Sequence, residues 1–242
     1  MYVNNEIGVV QNLKEISRII KKYQSDYNCE ILFHSDAVQA PGKLSLNVEE
    51  LGVDLLSISG HKIYAPKGVG LLYKKNGIDI QPLISGGGQE NQMRSGTENV
   101  PYIVAFAEAL RLSEDERLEN QQKMKKMSDL LISEITSRVK NYKLNSSRDI
   151  CVPNIINLSF PGFDGESIIL GLNFKGIYAS SGSACSSASI EPSHVLSALG
   201  LTDEESLSSI RVSLGRDNTE EHIHDFVNAL EGVLAQLASY KR

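Results

Sequence analysis

Val53-Asp54-Leu55-Leu56-Ser57-Ile58-Ser59-Gly60-His61-Lys62 is the stretch on which the reading of this chain turns. Its apolar first half reads as a buried strand, and the strand delivers a lysine among small residues. Lysine is rarely fully buried without a partner or a task. A desolvated amine loses part of its proton affinity and can attack a carbonyl carbon. The first expectation is that Lys62 holds an aldehyde cofactor. The alternative is a strand-end lysine that reaches solvent.

Strands flank this stretch on both sides. Upstream, Glu30-Ile31-Leu32-Phe33-His34 reads as a strand that empties into Ser35-Asp36-Ala37-Val38-Gln39-Ala40-Pro41-Gly42, a loop opened by polar residues and closed by Pro-Gly. Downstream, Val69-Gly70-Leu71-Leu72-Tyr73 reads as another strand. Further upstream, Leu13, Ile16, Ile19 and Ile20 keep helical spacing behind a cap at Asn12, with Glu15 strengthening the start signal. The first ten residues read as a strand end and a turn at Gly8. This alternation predicts an α/β domain with a mostly parallel sheet. Ligands of such sheets bind beyond the carboxyl ends of strands, so Asp36 and Lys62 can share a pocket.

The glycine-rich loop Gly86-Gly87-Gly88-Gln89-Glu90 to Arg94-Ser95-Gly96-Thr97 can bring backbone donors close to an anion, or can simply connect sheet to helix. From Val100 to about Val139 the pattern is helical; the methionines read as core filling and Ser113-Glu114-Asp115-Glu116-Arg117 as a solvated patch. Residues 1–112 are expected to form part of a large domain, 113–142 a linking helix and 143–242 a smaller α+β domain. In the last of these, Asn157-Leu158-Ser159-Phe160 and Gly176-Ile177-Tyr178-Ala179-Ser180 are expected strands around a helix at Gly165 to Leu172. A final helix from about Asn218 to Leu237 is expected to open on a capping box of Asn218 and Glu221.

The chain has 242 residues, 41% hydrophobic and 22% charged, with net charge −6. These are the proportions of a globular protein with ample length for a core, and the charge disfavours nonspecific nucleic-acid binding. No apolar run reaches membrane-spanning length, and the first residues lack the pattern of a signal peptide. The three cysteines, Cys29, Cys151 and Cys185, are odd in number and widely spaced, which suggests neither a disulfide framework nor a zinc site and points to a reducing, cytoplasmic setting. No carboxylate–histidine pattern suggests a metal.

Pyridoxal phosphate needs an amine for its aldehyde and an acid for its ring nitrogen. Lys62 and Asp36 supply both; Gln39 can donate to the ring oxygen, and Ser59 and His61 can hold the phosphate. The bland reading of Asp36 is a turn residue bonding its own backbone. Cys185 sits in Ser180-Ser181-Gly182-Ser183-Ala184-Cys185-Ser186-Ser187-Ala188-Ser189, where packing cannot account for it, so a reactive thiol is favoured; Cys29 and Cys151 read as structural. Arg211, in the alternating Ser209-Ile210-Arg211-Val212-Ser213, can grip a carboxylate through two parallel hydrogen bonds or can lie on an edge strand as surface charge.

Four stretches then meet in one order and spacing: His34-Ser35-Asp36-Ala37-Val38-Gln39, Ser59-Gly60-His61-Lys62, Arg94-Ser95-Gly96-Thr97 and Ser181-Gly182-Ser183-Ala184-Cys185. Together they resemble the pyridoxal-phosphate-dependent cysteine desulfurases of the class-V aminotransferase group that supply sulfur for iron–sulfur clusters and thiolation. The resemblance implies a fold-type I large domain, here incomplete, with a smaller α+β domain. It implies that Lys62 attaches the cofactor and carries protons, and that Asp36 pairs with the ring nitrogen. It also implies that Gln39 and Asn5 contact the ring oxygen and that Ser59 and His61 bind phosphate, with Thr97 reaching the partner subunit's cofactor phosphate. Asn5 and Arg211 would meet the substrate, L-cysteine. Cys185 would take its sulfur as a persulfide, release alanine and pass the sulfur to an acceptor or scaffold protein. A homodimer is implied, with no nucleic acid needed and no membrane. Family members carry about a further third of chain upstream of Met1, so the resemblance implies a truncated or split large domain with exposed apolar surface. Two other readings stay open: a selenocysteine lyase, and a non-catalytic remnant that only dimerises or binds an acceptor.

Overall fold

The computed structural model describes residues 1–181 and 191–240, in two compact units. The first comprises residues 1–2 and 11–118; the second comprises residues 3–10 and 119–242. Cys185 lies outside the described residues.

In the first unit, helix α1 (Leu13–Tyr27) starts where expected, with Asn12 Oδ1 accepting from Glu15 N at 3.2 Å. Strand β1 (His34–Asp36) is shorter and later than the expected strand over 30–34. Phe33 N donates to the Asp54 carboxylate at 3.0 Å, and that side-chain bond replaces a ladder bond. Helix α2 (Val48–Leu51) crosses over to β2 (Leu55–Ser59), which pairs parallel with β1 so that Asp36 lies opposite Ser57. A 3₁₀ turn over Gly60–Ile63 follows at once. Strand β3 (Gly70–Lys74) returns antiparallel, Ser59 opposite Gly70. Leu56 and Ile58 alternate into the core of this unit with Leu51, Val53, Ile63 and Phe106.

The expected helical run from Val100 onward is two helices, α3 (Val100–Asp115) and α4 (Arg117–Arg138), divided at Glu116. In the second unit α4 buries Met124, Met127, Leu131 and Ile135, one stripe at helical spacing. The stripe packs into a core with β4 (Lys143–Leu144), β5 (Ile155–Ser159), α5 (Gly165–Phe174), β6 (Ser209–Ser213) and α8 (Glu220–Ser239). The three strands are antiparallel in the order β4-β5-β6. Short helices α6 (His194–Ala198) and α7 (Asp203–Leu207) lead into β6.

Two expectations for this unit are corrected. Residues 176–180 are not a strand: the amides of Gly176 and Ile177 are spent closing α5, on Asn173 O and Leu172 O, and only Ser180 bridges to Arg211. The cap of α8 is Thr219, paired with His222, rather than Asn218 with Glu221. Asn218 closes a preceding turn instead, its Oδ1 accepting from Gly215 N at 2.7 Å.

Candidate active site

The carboxyl ends of β1 and β2 are neighbours because the two strands run parallel. That alone brings Asp36, the last residue of β1, to the same edge as Ser59, the last residue of β2, and the turn carrying His61 and Lys62. Asp36 Oδ1 accepts from Val38 N at 2.8 Å, the local turn bond anticipated for an aspartate here. A carboxylate has four lone-pair sites, so this bond leaves acceptor capacity for a ring N–H. Ser59 Oγ lies 2.8 Å from His61 Nδ1, and His34 Nε2 lies 2.8 Å from Ser57 Oγ. Tyr64, which ends the turn, takes a left-handed backbone with φ 67°.

Lys62 itself is exposed, so the desolvation expected for it is absent. The perturbed amine at this edge is Lys43. It is half-buried, and its Nζ donates to Gln39 O at 3.1 Å. Burial, helped by repulsion from Lys62, lowers its pKa to about 8. The sequence signal for it was faint: a lysine four residues after Gln39, in the same loop.

Thr97 is exposed at the end of the glycine-rich loop, whose Ser95 is buried and donates to Gly87 O at 2.8 Å. In that loop Glu90, Asn91 and Gln92 all adopt positive φ, which costs non-glycine residues conformational energy.

Asn5 and Arg211 belong to the second unit. Asn4 organises the turn that carries Asn5: its Oδ1 accepts from Glu6 N and Ile7 N, and Gly8 closes the turn at φ 75°. Arg211 is half-buried on β6, and its Nη1 donates to Asn5 O at 2.9 Å. These two are therefore in contact. Cys29 is exposed, against the structural role expected of it, whereas Cys151 is half-buried with its thiol pKa pushed up by burial.

The donor set of the first unit fits pyridoxal phosphate in kind: an amine, an acid at a strand end, and a hydroxyl–imidazole pair beside the amine. The profile described as Aminotransferase class-V matches residues 1–226. The chain belongs to the class-V aminotransferase family. It is 46% identical over 237 residues to the cysteine desulfurase IscS of Dictyoglomus turgidum, covering 98% of this chain and 59% of that protein. A solved NifS-like protein superposes with a TM-score of 0.88 at 38% identity, over 98% of this chain and 60% of that one. The structure of SspA in complex with cysteine matches with a TM-score of 0.68 at 32% identity, over 88% of this chain and 57% of that one. The family chain thus spans about three fifths of the length of these relatives. Among the described residues no helix is long and apolar enough to cross a membrane.

Proposed function

We propose that this chain carries the lysine-bearing half of a cysteine desulfurase site: L-cysteine is converted to L-alanine and its sulfur passes to an acceptor protein. The observation that carries the reading is the common edge shared by Asp36 and the Ser59–Lys62 turn, at the carboxyl ends of a parallel strand pair. The IscS likeness and the cysteine complex of SspA support cysteine as the substrate class.

Pyridoxal phosphate would be held by Lys62, Asp36, Gln39, Ser59 and His61, and when bound it supplies an electron sink for cleaving bonds at the amino acid's α- and β-carbons. The residues of the chain do the rest. Asp36 would keep a proton on the ring nitrogen. Lys62 moves protons at the amino acid's carbons. Arg211, whose Nη1 donates to Asn5 O, would grip the substrate carboxylate. Asn5 would contact the ring oxygen and the substrate, and Thr97 would reach the cofactor phosphate of a second copy in a homodimer. Cys185 would accept the sulfur: its thiolate forms an S–S bond to the cysteine sulfur, the C–S bond breaks with its electron pair left on the β-carbon, which is protonated to give alanine, and a persulfide stays on the protein.

The experiment is alanine release from L-cysteine by the chain supplied with pyridoxal phosphate. Turnover that falls at least about a hundredfold in Cys185→Ala supports the reading, and alanine release unaffected by that change contradicts it. A second reading, a non-catalytic piece that binds an acceptor or another copy, is favoured by the three-fifths coverage of its relatives and by the exposed edge strand β3. It predicts no alanine release at all.

A further inference from the structure

A carboxylate is buried in the second unit with no place in the chemistry above. Glu6 is 3% exposed, and a buried carboxylate is tolerated only where hydrogen bonds compensate it. Ser193 Oγ donates to Glu6 Oε2 at 2.6 Å. Ser193 is itself fixed: it caps α6, and its N donates to Ser206 Oγ at 2.9 Å. The carbonyl of Glu6 is also taken, by Asn157 Nδ2 at 3.4 Å, and Asn157 is fully buried on β5 directly opposite Arg211. The preceding carbonyl, Asn5 O, accepts from Arg211 Nη1. Two successive carbonyls and one carboxylate of a single turn are thus gripped from β5, β6 and the start of α6.

We propose that Glu6 is a positioning residue: through Ser193 and Asn157 it fixes the turn whose Asn5 carbonyl sets the orientation of the Arg211 guanidinium toward a substrate carboxylate. The proposal rests on the desulfurase reading for the identity of that carboxylate. The contact network itself does not depend on the cofactor. A loosened turn lets the guanidinium rotate, and carboxylate recognition weakens while the chemical step keeps its groups.

The test has two arms, each on the full chain. The first is the rotation rate of the Arg211 guanidinium, read by nitrogen-15 NMR without cofactor, in wild type, Glu6→Leu, Glu6→Gln and Ser193→Ala. Leucine removes the acceptor, glutamine keeps a carbonyl oxygen for Ser193, and Ser193→Ala removes the donor should Glu6→Leu fail to fold. Rotation is expected to quicken several-fold in Glu6→Leu and Ser193→Ala and to stay near wild type in Glu6→Gln. Unchanged rotation in Ser193→Ala, or in a folded Glu6→Leu, overturns the proposal. The second arm is kinetic, with pyridoxal phosphate and L-cysteine. KM is expected to rise about tenfold in Glu6→Leu and Ser193→Ala with kcat changed less than about threefold, and to stay near wild type in Glu6→Gln. A fall in kcat at constant KM overturns the proposal. Absence of turnover in wild type counts against the desulfurase reading, and the rotation arm then decides the role of Glu6 alone.

Discussion

Lys43 sits in an environment at odds with its charge. Its pKa in the fold, about 8, lies below the ordinary lysine value of 10.5 because the amine is half-buried beside Lys62. Between those values the unfolded chain binds the proton and the folded chain does not, so stability rises with pH across this window. Below about pH 8 both states are protonated and the full cost of burying the ammonium is felt, on the order of 1–2 kcal/mol after solvent screening. Lys43→Met removes that cost together with the bond to Gln39 O. The stability difference between variant and wild type, from urea unfolding, is expected to shift by about 1–2 kcal/mol in favour of wild type on going from about pH 7 to about pH 10.5. Parallel pH profiles would contradict the assignment. Cys151 is a companion case: burial raises its thiol pKa, so it should alkylate more slowly than exposed Cys29 near neutral pH.

Among the elements, α5 depends on one close approach. A Cβ on Gly165 would stand 2.7 Å from both Leu207 O and Ser209 O, and backbone oxygens cannot swing aside. Gly165→Ala is expected to cost about 2 kcal/mol or more in a denaturant titration; a stability equal to wild type would show that α5 can shift freely against α7 and β6. Nothing in the sequence around Gly165 announces this constraint, because it comes from residues distant along the chain. Elements whose signals are local were legible. Asn12 with Glu15 opened α1, and the stripe Met124, Met127, Leu131, Ile135 gave the buried face of α4. Where several polar residues competed for one cap, the reading slipped from Thr219 to Asn218. Where side chains or helix ends took the backbone bonds, at Phe33 and at Gly176, apolar runs that resemble strands were not paired as strands. The candidate site divides in the same way. Asp36 and Lys62 followed from strand ends, but Lys43 and Glu6 are defined by burial, and Glu6 meets Ser193 only across 187 residues of chain.

At the scale of the whole molecule, each unit has its own apolar interior. In the second, Leu131, Leu158, Phe160, Ile168, Ile210 and Leu230 are fully buried. Phe160→Ala should cost about 3–5 kcal/mol of that unit's stability, measured by the loss of its cooperative unfolding transition at lower denaturant; a loss under about 1 kcal/mol would mean the core repacks around the gap. Both units also expose apolar side chains, Phe174 and Tyr178 in the second among them. Leu71 and Leu72 on β3 and Val104 on α3 are exposed, and Leu83 is 99% exposed. About two fifths of each of these relatives lies outside the part this chain matches, and exposed apolar side chains of this kind are ordinarily covered by further polypeptide. The central claim is that the edge formed by β1 and β2 nevertheless holds the cofactor through Lys62. The direct measurement is the absorption spectrum of the purified chain after addition of pyridoxal phosphate and removal of the excess. The account predicts a band near the edge of the visible that borohydride bleaches and that Lys62→Ala lacks. A spectrum without that band in wild type, or one retained unchanged in Lys62→Ala, would contradict it.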